Sequence, residues 1–140
     1  MPVKENKVYI AVVDTNVIIS ALLSHYSDAA TSLVLDYLFK GLIVPLYNEE
    51  ILSEYSNVLH RAKFKFPEEL ISKVLRVVTD RGISSERILS DFNFPDPKDI
   101  VFYEVALSKE DAYLVTGNTK HFPKVDFVVT PVEMIEIINS

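Results

Sequence analysis

Three acids and one amide fall where chemistry could be done: Asp14, Glu54, Asp99 and Asn118. Asp14 closes the apolar run Val8-Tyr9-Ile10-Ala11-Val12-Val13. That is the pattern of a buried parallel strand delivering a carboxylate to a sheet edge, and ligands of open α/β sheets collect at the carboxyl ends of strands. Glu54 lies on the border of an apolar helical stripe, Asp99 tops an inward-looking helical row, and Asn118 follows a short apolar strand and Gly117. Hard divalent cations such as Mg²⁺ or Mn²⁺ take oxygen ligands and keep several waters, so a few carboxylates suffice to hold one. Such ions activate water and clamp the leaving oxygen in phosphodiester cleavage. His25, His60 and His121 are scattered and lack the spacing of a zinc site.

Each residue also has an ordinary explanation. Asp is a favoured N-cap, so Asp14 could cap the next helix. Asp99 could serve a helix N-terminus, Glu54 could pair with a lysine, and Asn118 could belong to a turn after Gly117. Their joint placement at strand ends and inward helix faces favours a site.

Strand and helix patterns alternate along the chain, which predicts βα units around a mainly parallel sheet. After the first strand, Val17 to Leu23 read as a short helix. Ser27 or Asp28 is expected to cap the next, with Ala30, Leu33, Val34, Tyr37 and Leu38 recurring until Gly41 stops it. Leu42 to Leu46 read as a strand, with Pro45 pointing to a late or edge position. Asn48 caps a helix with the stripe Ile51, Leu52, Tyr55, Val58 and Leu59, and Glu54 beside it. Pro67 opens a further helix that ends at Arg81-Gly82. Residues 83 to 95 are the least legible, with a strand expected near Ile88. Asp96 reads as N-cap and Pro97 as first residue of a helix on which Asp99, Phe102 and Ala106 share a face. Ala112 to Thr116 and Phe127 to Thr130 read as strands, and Pro131 begins a last helix with Val132, Ile135 and Ile138 inside.

The chain has 140 residues, 49% hydrophobic, with no cysteine and a net charge of −6. This size fits one domain over 1–140, burying roughly two-thirds of its unfolded surface. Lacking cysteine, it has neither a disulfide framework nor a thiolate metal site. Its first seven residues lack a signal peptide's apolar core and no apolar run could span a bilayer, so a cytoplasmic protein without a membrane partner is expected. The acidity argues against a broad basic nucleic-acid face, yet fits a carboxylate cluster whose cation would present positive charge to phosphates.

Taken together, Asp14-Thr15-Asn16, Ile51-Leu52-Ser53-Glu54-Tyr55, Asp96-Pro97-Lys98-Asp99 and Tyr113-Leu114-Val115-Thr116-Gly117-Asn118 resemble the PIN-domain family, and within it the VapC-like toxin components of toxin–antitoxin systems. The resemblance covers almost the whole chain. It implies a three-layer α/β/α fold and a Mg²⁺- or Mn²⁺-dependent endoribonuclease. By matching position it implies Asp14, Glu54 and Asp99 as acidic ligands and Asn118 in the fourth place, where many relatives carry aspartate. Thr15 and Asn16 would steady the first acid, with Thr116 beside the pocket. A cognate antitoxin and a homodimer are further implications.

The segment Arg61-Ala62-Lys63-Phe64-Lys65-Phe66 interleaves cations and aromatics as single-strand binders do. Phe64 and Phe66 are expected to tuck into the core, leaving Lys63 and Lys65 as candidate contacts to RNA, and His121 as another. Two rival readings stay open. One is a haloacid-dehalogenase-like phosphatase with Asp14 as nucleophile, although such enzymes place a second acid two residues later, where this chain has Asn16. The other is a degenerate PIN domain that binds RNA or protein without cutting, for which Asn118 is the motive.

Overall fold

The computed structural model describes residues 7–140. The start of the chain, where no leader is expected, lies largely outside the described residues. Five parallel strands form the central sheet in the order β3-β2-β1-β4-β5. They are β1 (Tyr9–Val13), β2 (Ile43–Tyr47), β3 (Ile83–Ser84), β4 (Tyr113–Val115) and β5 (Val128–Val129). The helices are α1 (Thr15–Leu23), α2 (Ala30–Lys40), α3 (Glu49–Leu59), α4 (Glu68–Arg81), α5 (Asp99–Leu107) and α6 (Pro131–Asn139). Helices cover both faces: α2 packs on α1, α6 and β2, while α5 packs on β1 and β4, and α3 bridges α4 and α5. The result is the expected three-layer α/β/α fold. Parallel pairing requires the crossovers that these helices provide.

The topology itself points to one crevice. From β1 the chain builds outward through β2 and β3, then returns to add β4 and β5 on the other flank. The order therefore reverses between β1 and β4, and ligands of open α/β sheets bind outside the carboxyl ends of strands at such a switch point. Val12 and Val13 of β1 pair with Leu114 and Val115 of β4, and all four are fully buried. The next residue after each strand, Asp14 and Thr116, is thereby delivered to the crevice.

Local chemistry explains the ends of several elements. Asn48 Oδ1 accepts from the Ile51 amide at 2.9 Å and starts α3,. Gly41 stops α2 at φ 83°, a conformation open to glycine without steric cost,. Thr130 and Glu133 form a reciprocal capping box at α6, a signal that the T-x-x-E spacing carries in the sequence.

Other expectations need correction. Ala29, not Ser27 or Asp28, stands at the N-cap of α2. Pro45 sits in the middle of β2, an interior strand paired to β1 at Ala11. It is tolerated there because β3 reaches only Leu46 and Tyr47, so alongside Pro45 that flank of β2 is still an edge,. The third strand lies at Ile83–Ser84 rather than near Ile88, and 85–95 runs without regular structure. Asp96 does not cap α5: its Oδ1 accepts from the Lys98 amide at 3.0 Å, closing a turn one step before the helix,. Val132 is exposed and Met134 is buried in its stead, while Ile138 is buried and Ile135 partly buried as expected. Phe66 packs against the core while Phe64 stacks on it at 5.3 Å, half-buried.

Candidate active site

Asp14 is 5% exposed at the end of β1, and its surroundings fix it from two sides. Thr116 Oγ1 donates to Asp14 Oδ2 at 2.7 Å, and Asn16 Nδ2 donates to the same oxygen at 3.2 Å. Neither engages the other carboxylate oxygen. Asn16 is itself oriented, because its Oδ1 accepts from the Gly117 amide at 3.1 Å. A Cβ on Gly117 would come within 3.3 Å of that Oδ1, so the close approach depends on glycine,. The Asn118 amide in turn donates to Thr116 Oγ1 at 3.0 Å. Two short chains of hydrogen bonds thus link the ends of β1 and β4 around one carboxylate. Asp14 occupies the N-cap position of α1, yet its side chain makes no capping bond, which leaves the ordinary explanation of this residue without support.

The electrostatics are strained. Burial pushes the Asp14 carboxyl up to about 6, with Asp99 adding to the rise and the bonds from Thr116 and Asn16 opposing it,. Asp99, at the start of α5, is also raised, first by burial and then by the charges of Asp96 and Glu54, while His121 pulls the other way. Asp99 thus acts on Asp14, and Glu54 on Asp99, which links the three acids in series. His121 Nδ1 lies 3.1 Å from Asp99 Oδ2; the sequence offered this histidine only as an RNA contact. Asn118 is exposed, and its side chain does not cap the 3₁₀ turn Thr119–His121 that comes after it.

Tyr55 joins the elements that carry the acids. Its hydroxyl donates to the carbonyl of Val13, the residue before Asp14. Its ring meets Phe102 of α5 at 6.3 Å between centroids. Since Glu54 precedes Tyr55 and Asp99 lies three residues before Phe102, one buried side chain relates all three acids. Sequence reasoning placed Tyr55 in the core stripe of α3 and missed this role.

Lys63 and Lys65 are exposed in the segment between α3 and α4 and take no part in the hydrogen bonds around Asp14. Lys63 Nζ sits 5.2 Å from the centre of the Phe64 ring, and Lys65 has φ 56°.

The donors suit a hard cation in kind. They are oxygen atoms of carboxylates that no lysine or arginine pairs with among the described residues, and the hydroxyl of Thr15, next to Asp14 in the chain, is buried with no hydrogen-bond partner,. Among the described residues, however, no three of His, Cys, Asp and Glu are already drawn together as a complete ligand set. An ion that retains several waters does not need one.

No described helix is long and apolar enough to cross a membrane. No curated protein matches the chain. A family model described as a PIN domain matches residues 10–120, most of its length, and that match spans the four site positions and both strands of the switch point. The chain therefore belongs to the PIN-domain family, whose members are generally nucleases and typically use divalent metal ions.

Proposed function

We propose that this protein is an endoribonuclease that hydrolyses phosphodiester bonds of single-stranded RNA with Mg²⁺ or Mn²⁺, and that it is the toxin of a toxin–antitoxin pair. One observation carries the nuclease reading. At the crevice between β1 and β4, a buried Asp14 is driven up to about 6 by burial and a neighbouring acid, and no lysine or arginine among the described residues forms an ion pair with it. A protein retains such a destabilising cluster where function requires it.

In this reading Asp14, Glu54 and Asp99 would hold the ion, with the Asn118 amide oxygen as a weaker fourth donor. When bound, the ion supplies positive charge to the phosphoryl oxygens and makes water a stronger acid. The remaining work belongs to the chain. Thr116 and Asn16 both hold Asp14 through Oδ2, and Oδ1 would be the coordinating oxygen. Tyr55 keeps Glu54 and Asp99 in step with β1. His121, beside Asp99 and partly exposed, would meet a substrate phosphate. Lys63 and Lys65 would bind the RNA backbone further out. The toxin role, the antitoxin partner, the homodimer and a cytoplasmic setting rest on the resemblance to VapC-like proteins.

The degenerate-domain reading has its own support, the neutral Asn118 together with the open ligand set. Single-turnover cleavage of end-labelled single-stranded RNA with Mn²⁺, alongside Glu54→Gln, separates the two. The nuclease reading expects metal-dependent cleavage that the variant loses. RNA binding without cleavage at any metal concentration would overturn it in favour of a binding module.

A further inference from the structure

Among the described residues two acids are buried, Asp14 and Glu104, and only the first belongs to the crevice. Glu104 interrupts the otherwise apolar run 100–107 of α5, and a buried carboxylate persists only when fully paired,. Its partners come from the irregular segment after β3. Arg87 Nε donates to Glu104 Oε1 at 2.9 Å, a terminal guanidinium nitrogen reaches the same carboxylate at 2.7 Å, and the Ser90 amide donates to Oε2 at 2.7 Å. The other terminal nitrogen of Arg87 spans both oxygens of Glu50 on α3, at 3.0 and 2.9 Å.

One guanidinium therefore clamps α3 to α5. Glu50 lies one helical turn before Glu54, and Glu104 lies five residues after Asp99. Those two acids repel, since the charge of Glu54 raises Asp99. The Tyr55–Phe102 contact holds the same pair of helices by apolar packing, and Arg87 supplies the ionic tie. A planar fork with fixed donors suits the task, whereas an ammonium ion fixes no angle between two carboxylates.

We propose that Arg87 is a positioning residue: by bridging Glu50 and Glu104 it sets the separation of Glu54 and Asp99 and thereby the affinity of the site for a divalent cation. This rests on the reading of those acids as ligands. A purely structural role would instead mean that Arg87 only neutralises Glu104 and pins the segment after β3.

Two variants separate these roles without stranding the buried acid. Glu50→Gln cuts only the exposed arm and leaves the Arg87–Glu104 pair. Arg87→Lys keeps a cation on Glu104 but cannot hold both carboxylates in register. Mn²⁺ binding by calorimetry and thermal unfolding in metal-free buffer are measured on the parent, both variants and Asp99→Asn. The proposal expects both clamp variants to melt close to the parent and to bind Mn²⁺ about tenfold more weakly, the low end for residues that orient metal ligands. Parent-like affinity in both would overturn the positioning role while leaving the site intact. If the parent binds no Mn²⁺, or Asp99→Asn binds as tightly as the parent, the ligand assignment itself fails and takes the proposal with it.

Discussion

Thr116 donates its hydroxyl hydrogen to Asp14 across 2.7 Å, from 102 residues further along the chain. That bond favours the ionised carboxylate and opposes the rise that burial imposes. Thr116→Val should therefore push the Asp14 carboxyl further up and strip the Asn118 amide of its acceptor. The loss at pH 7 should be about 1–3 kcal/mol, the usual cost of leaving buried polar groups unpaired. Below the unfolded carboxyl's range Asp14 is protonated in both states, so at pH 3 the charge-dependent part vanishes and the loss shrinks. Denaturant unfolding at the two pH values checks this. Equal losses would mean that the bond to the carboxylate contributes nothing.

Asp14→Asn should stabilise the metal-free protein at neutral pH. A carboxyl shifted from 3.8 to about 6 on folding binds more protons in the folded state than in the unfolded state between those values. Stability is thus fully present below about 3.8 and falls as pH rises through about 6. At 1.36 kcal/mol per unit the charge costs about 3 kcal/mol at pH 7 at most, which the neutral amide avoids. The gain should disappear near pH 3. Mn²⁺ should raise the melting temperature of the parent and not that of the variant. A variant less stable than the parent at pH 7 would show that Asp14 is a structural partner.

Gly117→Ala places a Cβ 3.3 Å from Asn16 Oδ1, which must then give by a few tenths of an ångström. Displacing Asn16 loosens the second brace on Asp14. RNA cleavage should fall at least tenfold while the melting temperature changes by only a few degrees, because misplacement of this order outweighs its energetic cost. Unchanged cleavage would show that the Asn16 brace is dispensable.

Asn118→Asp adds a carboxylate at an exposed position after β4. Charge count helps set affinity for hard cations, so Mn²⁺ binding should tighten and cleavage at low metal should rise. In metal-free buffer the extra charge should destabilise by less than about 1 kcal/mol, since solvent screens it. Titration calorimetry and melting curves on one preparation read both effects, and no change in either would place Asn118 outside the site.

What could be read from the sequence was local. A strand ending in Asp14, a helix capped by Asn48 with Glu54 on its border, and an α/β alternation are all written in short windows. The boundary errors share a cause: Asp96 and Ser27 have capping chemistry, but a turn or a neighbouring element used those positions differently. Pro45 looked like an edge residue because no window shows that β3 is only two residues long. The Arg87 bridge joins residues 17 and 37 positions away. Its one visible sign is a glutamate inside an apolar helix, which announces a partner without naming it. The proximity of His121 to Asp99 is likewise a property of the fold rather than of any motif.

The placement of β4 has a consequence for synthesis. β1 receives its second neighbour, and Asp14 its hydroxyl donor, only after about a hundred further residues have been made. Chains emerge and fold from the amino end, so a nascent chain can build β1, β2 and β3 with their helices while its crevice still lacks one wall. The acids at 14 and 54 are then present without the one at 99 or the β4 edge. On the proposed reading, the ligand set stays incomplete until Asp99 and β4 have both been made.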